Sequence, residues 1–208
     1  MDITLAHLEA LLLTDPDTQL FLERRLAHAY DEFVSVLKKD LDRIVQKLED
    51  RKQLYFAAKE DPISMYVVDL LDECGYDVLH DPKIGGHIDI LVRGRKKGFQ
   101  YIVEAKRDYG GMSWIEEGMQ QLCARYSSGG QFNDQGALLI YCQKKDAAAT
   151  LGSWRTALVA ETKYVQLDVQ NDAQKPLLAF VSTHKHDTSG LPYTVRHMVV
   201  GLYHKPTK

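Results

Sequence analysis

One stretch constrains this chain more than any other: residues 85–106, GGHIDILVRGRKKGFQYIVEAK. Residues 87–92 are apolar and β-branched, the composition of a strand. Residues 93–98 are short, basic and closed by glycines, and read as a connection. Residues 99–106 form a second strand. Side chains alternate faces along a strand, so Ile102, Glu104 and Lys106 share one face. If the two strands pair as a hairpin, Asp89, Glu104 and Lys106 converge at one end. Two carboxylates and one ammonium in otherwise apolar strands are costly unless something compensates them. A divalent metal compensates them.

Asp89, a spacer and then Glu104-Ala105-Lys106 resembles the motif of the PD-(D/E)xK, restriction-endonuclease-like nucleases, with Ile88 where the name has Pro. The flanking order over residues 62–142 is similar too: a helix, a first strand, the acid-bearing hairpin, a helix and a further strand. The resemblance implies an α/β fold with a restriction-endonuclease-like core (αβββαβ, a mixed sheet flanked by helices). An N-terminal long-helix extension is added here. It implies Mg²⁺, for which Mn²⁺ can substitute, held by Asp89, Glu104 and the backbone carbonyl of Ala105. One or two carboxylates suffice, because Mg²⁺ keeps several waters. Such an ion acidifies water and neutralises charge on phosphoryl oxygens. Lys106 would orient or deprotonate the attacking water; the residues alone do not choose between these roles.

Family members often add a Gln from the next helix, here Gln121 with Gln120 as competitor. In one branch a Tyr follows four residues later; here Tyr126 is five away. Ser64 stands near where several relatives carry a Glu, and Glu60 lies one turn earlier; neither is counted as catalytic. The implied activity is Mg²⁺-dependent endonucleolytic cleavage of DNA, in defence, restriction or repair. RNA stays open, since nothing reads a 2′-hydroxyl. The rivals are a non-cutting nucleic-acid-binding module of the same fold and an assembly protein acting through its long helix.

At 208 residues and a net charge of −3, the chain is no purely electrostatic nucleic-acid binder. Charge is local instead: Arg93, Arg95, Lys96, Lys97 and Arg107 flank the motif as expected phosphate contacts. The three cysteines, Cys74, Cys123 and Cys142, lack paired spacing and fit reduced thiols. No leader pattern and no membrane-length apolar run is present, so the expected location is the cytoplasm, with no membrane partner.

Residues 1–60 differ from the rest. A short amphipathic helix is expected over 2–13, then Asp15-Pro16 caps a long helix running to residue 59 without internal Gly or Pro. Tyr30, Val34, Leu37, Leu41, Ile44, Leu48 and Tyr55 form a narrow stripe along it. The expected division is a helical extension at 1–60 and a nuclease-like domain at 61–208. The stripe suggests a homodimer seam; packing on the chain's own core is the alternative. From Pro62, Ile63, Tyr66, Val67, Leu70, Leu71 and Cys74 mark a core-facing helix. Strands are expected at 76–79, 136–142, 164–169, 177–183 and 193–204, and helices at 114–126 and 147–161. His184, His186 and Asp187 read as a solvated turn. His87 could touch phosphate. Trp114 reads as a packing anchor that could stack a base.

Overall fold

The structure, a computed structural model, describes residues 4–82 and 88–205, with only the backbone described at Leu8, Arg125 and Tyr126. His87 therefore lies outside the described residues. The element order is α1 (Leu5–Thr14), α2 (Pro16–Leu26), α3 (Tyr30–Asp50), α4 (Lys52–Tyr55), α5 (Glu60–Glu73), β1 (Asp77–His80), β2 (Ile90–Arg93) and β3 (Gln100–Arg107). A 3₁₀ turn (Asp108–Gly110), α6 (Gly111–Gln120) and a π-helical turn (Gln121–Tyr126) follow. The chain continues through β4 (Gln135–Cys142), α7 (Ala147–Ala160), β5 (Asp168–Asn171), β6 (Ala179–Lys185) and β7 (Pro192–Gly201).

Among the described residues seven strands form one mixed sheet, in the order β1-β2-β3-β4-β7-β6-β5. β1, β2 and β3 meander antiparallel; β4 joins β3 in parallel through α6, and β7 joins β4 in parallel. β6 and β5 complete it antiparallel. The period-two alternation of β3 and β4 sends their side chains to two cores. Tyr101, Val103, Leu139 and Tyr141 meet α3 and α5 on one face. Ile102, Leu138 and Ile140 meet α6 and α7 on the other. The chain is a mixed α/β fold of three layers, helices flanking a central sheet.

Two expectations for the N-terminal region are corrected. The helix expected over 16–59 is three helices. α2 stops at Leu26, and α3 restarts at Tyr30 because Glu32 reaches back to accept the backbone N–H groups of His28 (2.8 Å) and Ala29 (3.0 Å). No glycine or proline marks that break. The stripe is also no seam. Leu37, Leu41 and Leu48 are fully buried, with Val34 and Ile44 nearly so, in the same core as the sheet and α5. α3 thus belongs to one packed unit with residues beyond 60, and the surface on which the homodimer rested is covered by the chain's own strands. α2 is tied down from outside: Arg24 grips Asp40 of α3 with two hydrogen bonds (2.8 and 2.9 Å), and Tyr76 donates to the same carboxylate.

The strand expected at 164–169 is shifted to Asp168–Asn171, an edge strand whose residues are mostly exposed and so lack a clear alternation. No helix among the described residues is long and apolar enough to cross a membrane.

Candidate active site

Asp89, Glu104 and Lys106 do converge. β2 and β3 pair with Ile90 opposite Val103, so Asp89 sits just before the ladder, beside the end of β3 that carries Glu104 and Lys106. All three lie on the α6 side of the sheet by strand alternation. Asp89 accepts a hydrogen bond from the Ala105 backbone N–H at 2.8 Å, a contact that holds its carboxylate across the open end of the hairpin. Lys106 Nζ lies 2.7 Å from Glu104 Oε1, and both residues are buried. Glu104 Oε2 is buried and without a hydrogen-bond partner.

The structure adds a fourth charged group. Glu60, in the first turn of α5, reaches the end of β3 and accepts the Arg107 backbone N–H at 2.8 Å. Its field acts on Glu104 and Lys106, and its own pKa is raised by burial. Sequence reasoning passed it over because it stands one helical turn before the position of interest. Ser64, the other position considered, instead pairs with the buried Tyr141 hydroxyl at 3.1 Å.

The electrostatics follow from this crowding. Burial, and then the nearby Asp89 charge, push the Glu104 carboxyl up to about 8. Burial likewise raises Asp89. Burial works against the Lys106 charge, but Glu104, Asp89 and Glu60 outweigh it and hold its pKa above the ordinary value. Lys106 is therefore an ammonium, and Glu104 is the group that takes up a proton when nothing else balances the carboxyls. Ionising all three carboxyls together is therefore costly here without further positive charge.

The helix above the site is fitted to it. α6 crosses β3 at Gly118, where a Cβ would lie 2.7 Å from Lys106 Cγ and 2.9 Å from its Cε. Trp114, one turn earlier, places its ring centroid 5.0 Å from Lys106 Nζ. Gln121 follows Gly118 by three residues, and its Oε1 is buried without a partner. Gln120 turns away to Glu116 (3.3 Å), which removes it as the competitor. Gln121 and Tyr126 bound a π-helical turn, whose i→i+5 bonding aligns positions five apart much as an α-helix aligns positions four apart. The Tyr126 side chain itself lies outside the described residues.

The basic connection is not beside the acids. Arg93 pairs with Gln100, so residues 94–99 close the hairpin at its far end, about 14 Å from Glu104 at ~3.4 Å per residue. Lys96 donates to the His28 carbonyl (2.9 Å), and Arg93 lies 3.6 Å from Asp77. Arg93, Arg95, Lys96 and Lys97 are thus separated from the site by the length of the strand, a distance that nearness in sequence concealed. Arg107 alone of the expected phosphate contacts adjoins the acids. The solvated turn at His184 and His186 is corrected as well: both are buried. His186 Nδ1 accepts from the N–H groups of Thr188 and Ser189, so its Nε2 donates to Ser127 Oγ at 2.7 Å. That is a structural bracket.

Among the described residues no group of three or more His, Cys, Asp or Glu side chains is arranged to hold a metal ion. The donor set at the hairpin end is smaller: Asp89, Glu104 with its unpartnered oxygen, and the Ala105 carbonyl. That set suits a hard cation that retains waters. In comparison with known proteins, the chain matches no family model, no curated protein and no solved structure.

Proposed function

We propose that this protein is a metal-dependent nuclease of the PD-(D/E)xK type that hydrolyses phosphodiester bonds in DNA. The reading is carried by one observation: Asp89, Glu104, Glu60 and Lys106, from three places in the chain, crowd together at the open end of the β2–β3 hairpin, where the raised carboxyls would be ionised more readily beside a divalent cation. The unpartnered, buried Glu104 Oε2 fits a ligand atom. Asp89, Glu104 and the Ala105 carbonyl would hold Mg²⁺ or Mn²⁺. Such a cation supplies charge neutralisation at the phosphoryl group and acidifies water.

The chain's own residues divide the rest of the work. The Lys106 ammonium, fixed between Glu104 and the Trp114 ring, orients the attacking water and stabilises charge developing on the phosphoryl oxygens. Arg107 meets phosphate beside the scissile bond. Glu60 supports the acidic wall by fixing the end of β3. Gln121, which follows α6 and keeps a buried, unpartnered Oε1, is the further candidate site residue.

The test is cleavage of supercoiled, linear and single-stranded DNA with and without Mg²⁺. Glu104→Ala and Asp89→Ala each abolish cleavage while far-ultraviolet circular dichroism stays that of the parent. Lys106→Ala lowers turnover strongly and keeps Mn²⁺ binding measurable by calorimetry. Near-parental turnover by either acid variant in Mg²⁺ overturns the assignment.

A further inference from the structure

Three strands of the sheet, β3, β4 and β7, run parallel and end side by side: Arg107 opposite Tyr141, and Cys142 opposite Gly201. Ligands of open α/β sheets bind outside such carboxyl ends. Just past each end the chain places an aromatic ring or a cation. Tyr109 follows β3 and is 75% exposed; Lys144 and Lys145 follow β4; Tyr203 follows β7 and is 36% exposed. The rings and cations are paired. Arg107 lies 5.7 Å and Lys144 5.9 Å from the Tyr109 ring centroid, and Lys145 lies 5.7 Å from that of Tyr203.

Tyr109 is held on a fixed mount. The turn that bears it is anchored by Asp108, which is buried and accepts from the Gln143 N–H and the Cys142 thiol, while its carbonyl accepts from Lys144 at 2.7 Å. Beside it, a cleft of about 420 Å³ is lined by Tyr109, Arg107, Trp114, Glu60 and Asp61. That volume lies within the ordinary range of ligand clefts, about 300–1,000 Å³.

A rigidly mounted, exposed ring next to a cation offers two contacts: a flat face for a base and a charge for its phosphate. Duplex bases are already stacked on one another and cannot offer a face. Unpaired bases can, and stacking platforms in basic grooves are how single strands are held. We infer that an unpaired nucleic-acid strand lies across the carboxyl ends of β3, β4 and β7, its bases on Tyr109 and Tyr203 and its phosphates on Arg107, Lys144 and Lys145. This rests on the nuclease reading for what happens to the strand, and it makes single-stranded or frayed ends the substrate class.

The experiment measures binding in EDTA, so cleavage plays no part. A labelled oligothymidine, an oligouridine of equal length and a duplex are titrated by fluorescence anisotropy. A single strand binds at least tenfold tighter than the duplex, and the tighter of the two single strands identifies DNA or RNA. Tyr109→Leu and Tyr203→Leu, both at exposed positions, melt like the parent and weaken single-strand binding by roughly tenfold each, leaving duplex binding unchanged. Lys144→Gln with Lys145→Gln flattens the salt dependence by about 0.7 per contacted phosphate. Duplex binding as tight as single-strand binding, tyrosine variants that bind like the parent, or no binding to either strand overturns the inference. Loss of Mg²⁺-dependent cleavage would instead sink the nuclease reading and leave this measurement intact.

Discussion

Gly118→Ala tests the site without removing any functional group. The new Cβ would stand 2.7 Å from Lys106 Cγ, 2.9 Å from its Cε and 3.3 Å from Leu138 Cδ1. Carbon atoms prefer about 3.5–4.0 Å, so the lysine stem must retreat by roughly 1 Å. It has nowhere cheap to go. Its backbone is in the ladder opposite Ile140, its ammonium is 2.7 Å from Glu104, and its side chain is only 6% exposed. Overpacking of this kind costs about 1–3 kcal/mol, and exchanging helical Gly for Ala returns about 1 kcal/mol. The net loss of stability is therefore about 0–2 kcal/mol, and the protein folds. A catalytic group misplaced by ~1 Å loses on the order of a hundredfold in turnover. Gly152→Ala is the matched control: it sits in α7 with nothing within 4 Å of an added Cβ. That variant gains up to about 1 kcal/mol and cleaves like the parent. Denaturant titration and initial cleavage rates on one DNA substrate that the parent cleaves measure both. If Gly118→Ala cleaves as fast as Gly152→Ala, Lys106 does not act from where the structure holds it.

Leu41→Ala removes a fully buried side chain from the α3–sheet core and costs about 2–5 kcal/mol. For a chain of this size the melting midpoint falls by roughly 2–4 °C per kcal/mol. Because α3 covers its own sheet, that midpoint stays constant over a wide range of protein concentration; one that climbs with concentration would place the stripe in a subunit interface. His197 supplies the pH test. Its Nδ1 accepts the Trp154 indole N–H (3.0 Å), so its Nε2 donates to Ser182 Oγ (2.8 Å), and full burial pushes its pKa down to about 3. The unfolded chain takes up this proton near pH 6.5 and the folded chain does not. Its contribution is complete above pH 6.5 and is lost, at about 1.4 kcal/mol per unit, as pH falls toward 3. His197→Gln keeps an acceptor and a donor but cannot titrate. Relative to that variant the parent loses about 2 kcal/mol between pH 6.5 and 5; parallel curves would refute the neutral, buried assignment.

The acids could be read from the sequence because their placement follows from strand period alone. Glu104 and Lys106 share a face at i and i+2, and a hairpin brings Asp89 beside them. What failed was whatever depended on tertiary direction. The basic connection is next to the acids in sequence, yet a hairpin puts its turn and its open end at opposite ends of the strand. The stripe on α3 fits a coiled-coil seam and a sheet-facing helix equally well, and periodicity cannot say which partner covers it. The break between α2 and α3 depends on one Glu32 side chain folding back onto Ala29, a cap with no glycine or proline to announce it. The choice between Glu60 and Ser64 depends on tertiary direction too: which turn of α5 meets the end of β3 is set by how the helix lies on the sheet.

That last placement explains how the chain affords so unfavourable a cluster. Buried carboxyls crowd one another, as the rise of Glu104 to about 8 records. Each is therefore held by a group that cannot relax away: Asp89 by the Ala105 N–H, Glu60 by the Arg107 N–H, Glu104 by Lys106 under α6. Two of the three restraints are backbone amides at the end of β3, beyond the last described pair of its antiparallel ladder with β2, and both N–H groups go to carboxylates. The end of the ladder thus supplies the donors that fix the acids. The same strand end, being a carboxyl end beside those of β4 and β7, opens onto the aromatic and basic edge where a phosphodiester strand would arrive. Charge, restraint and access all follow from where β2 stops pairing with β3.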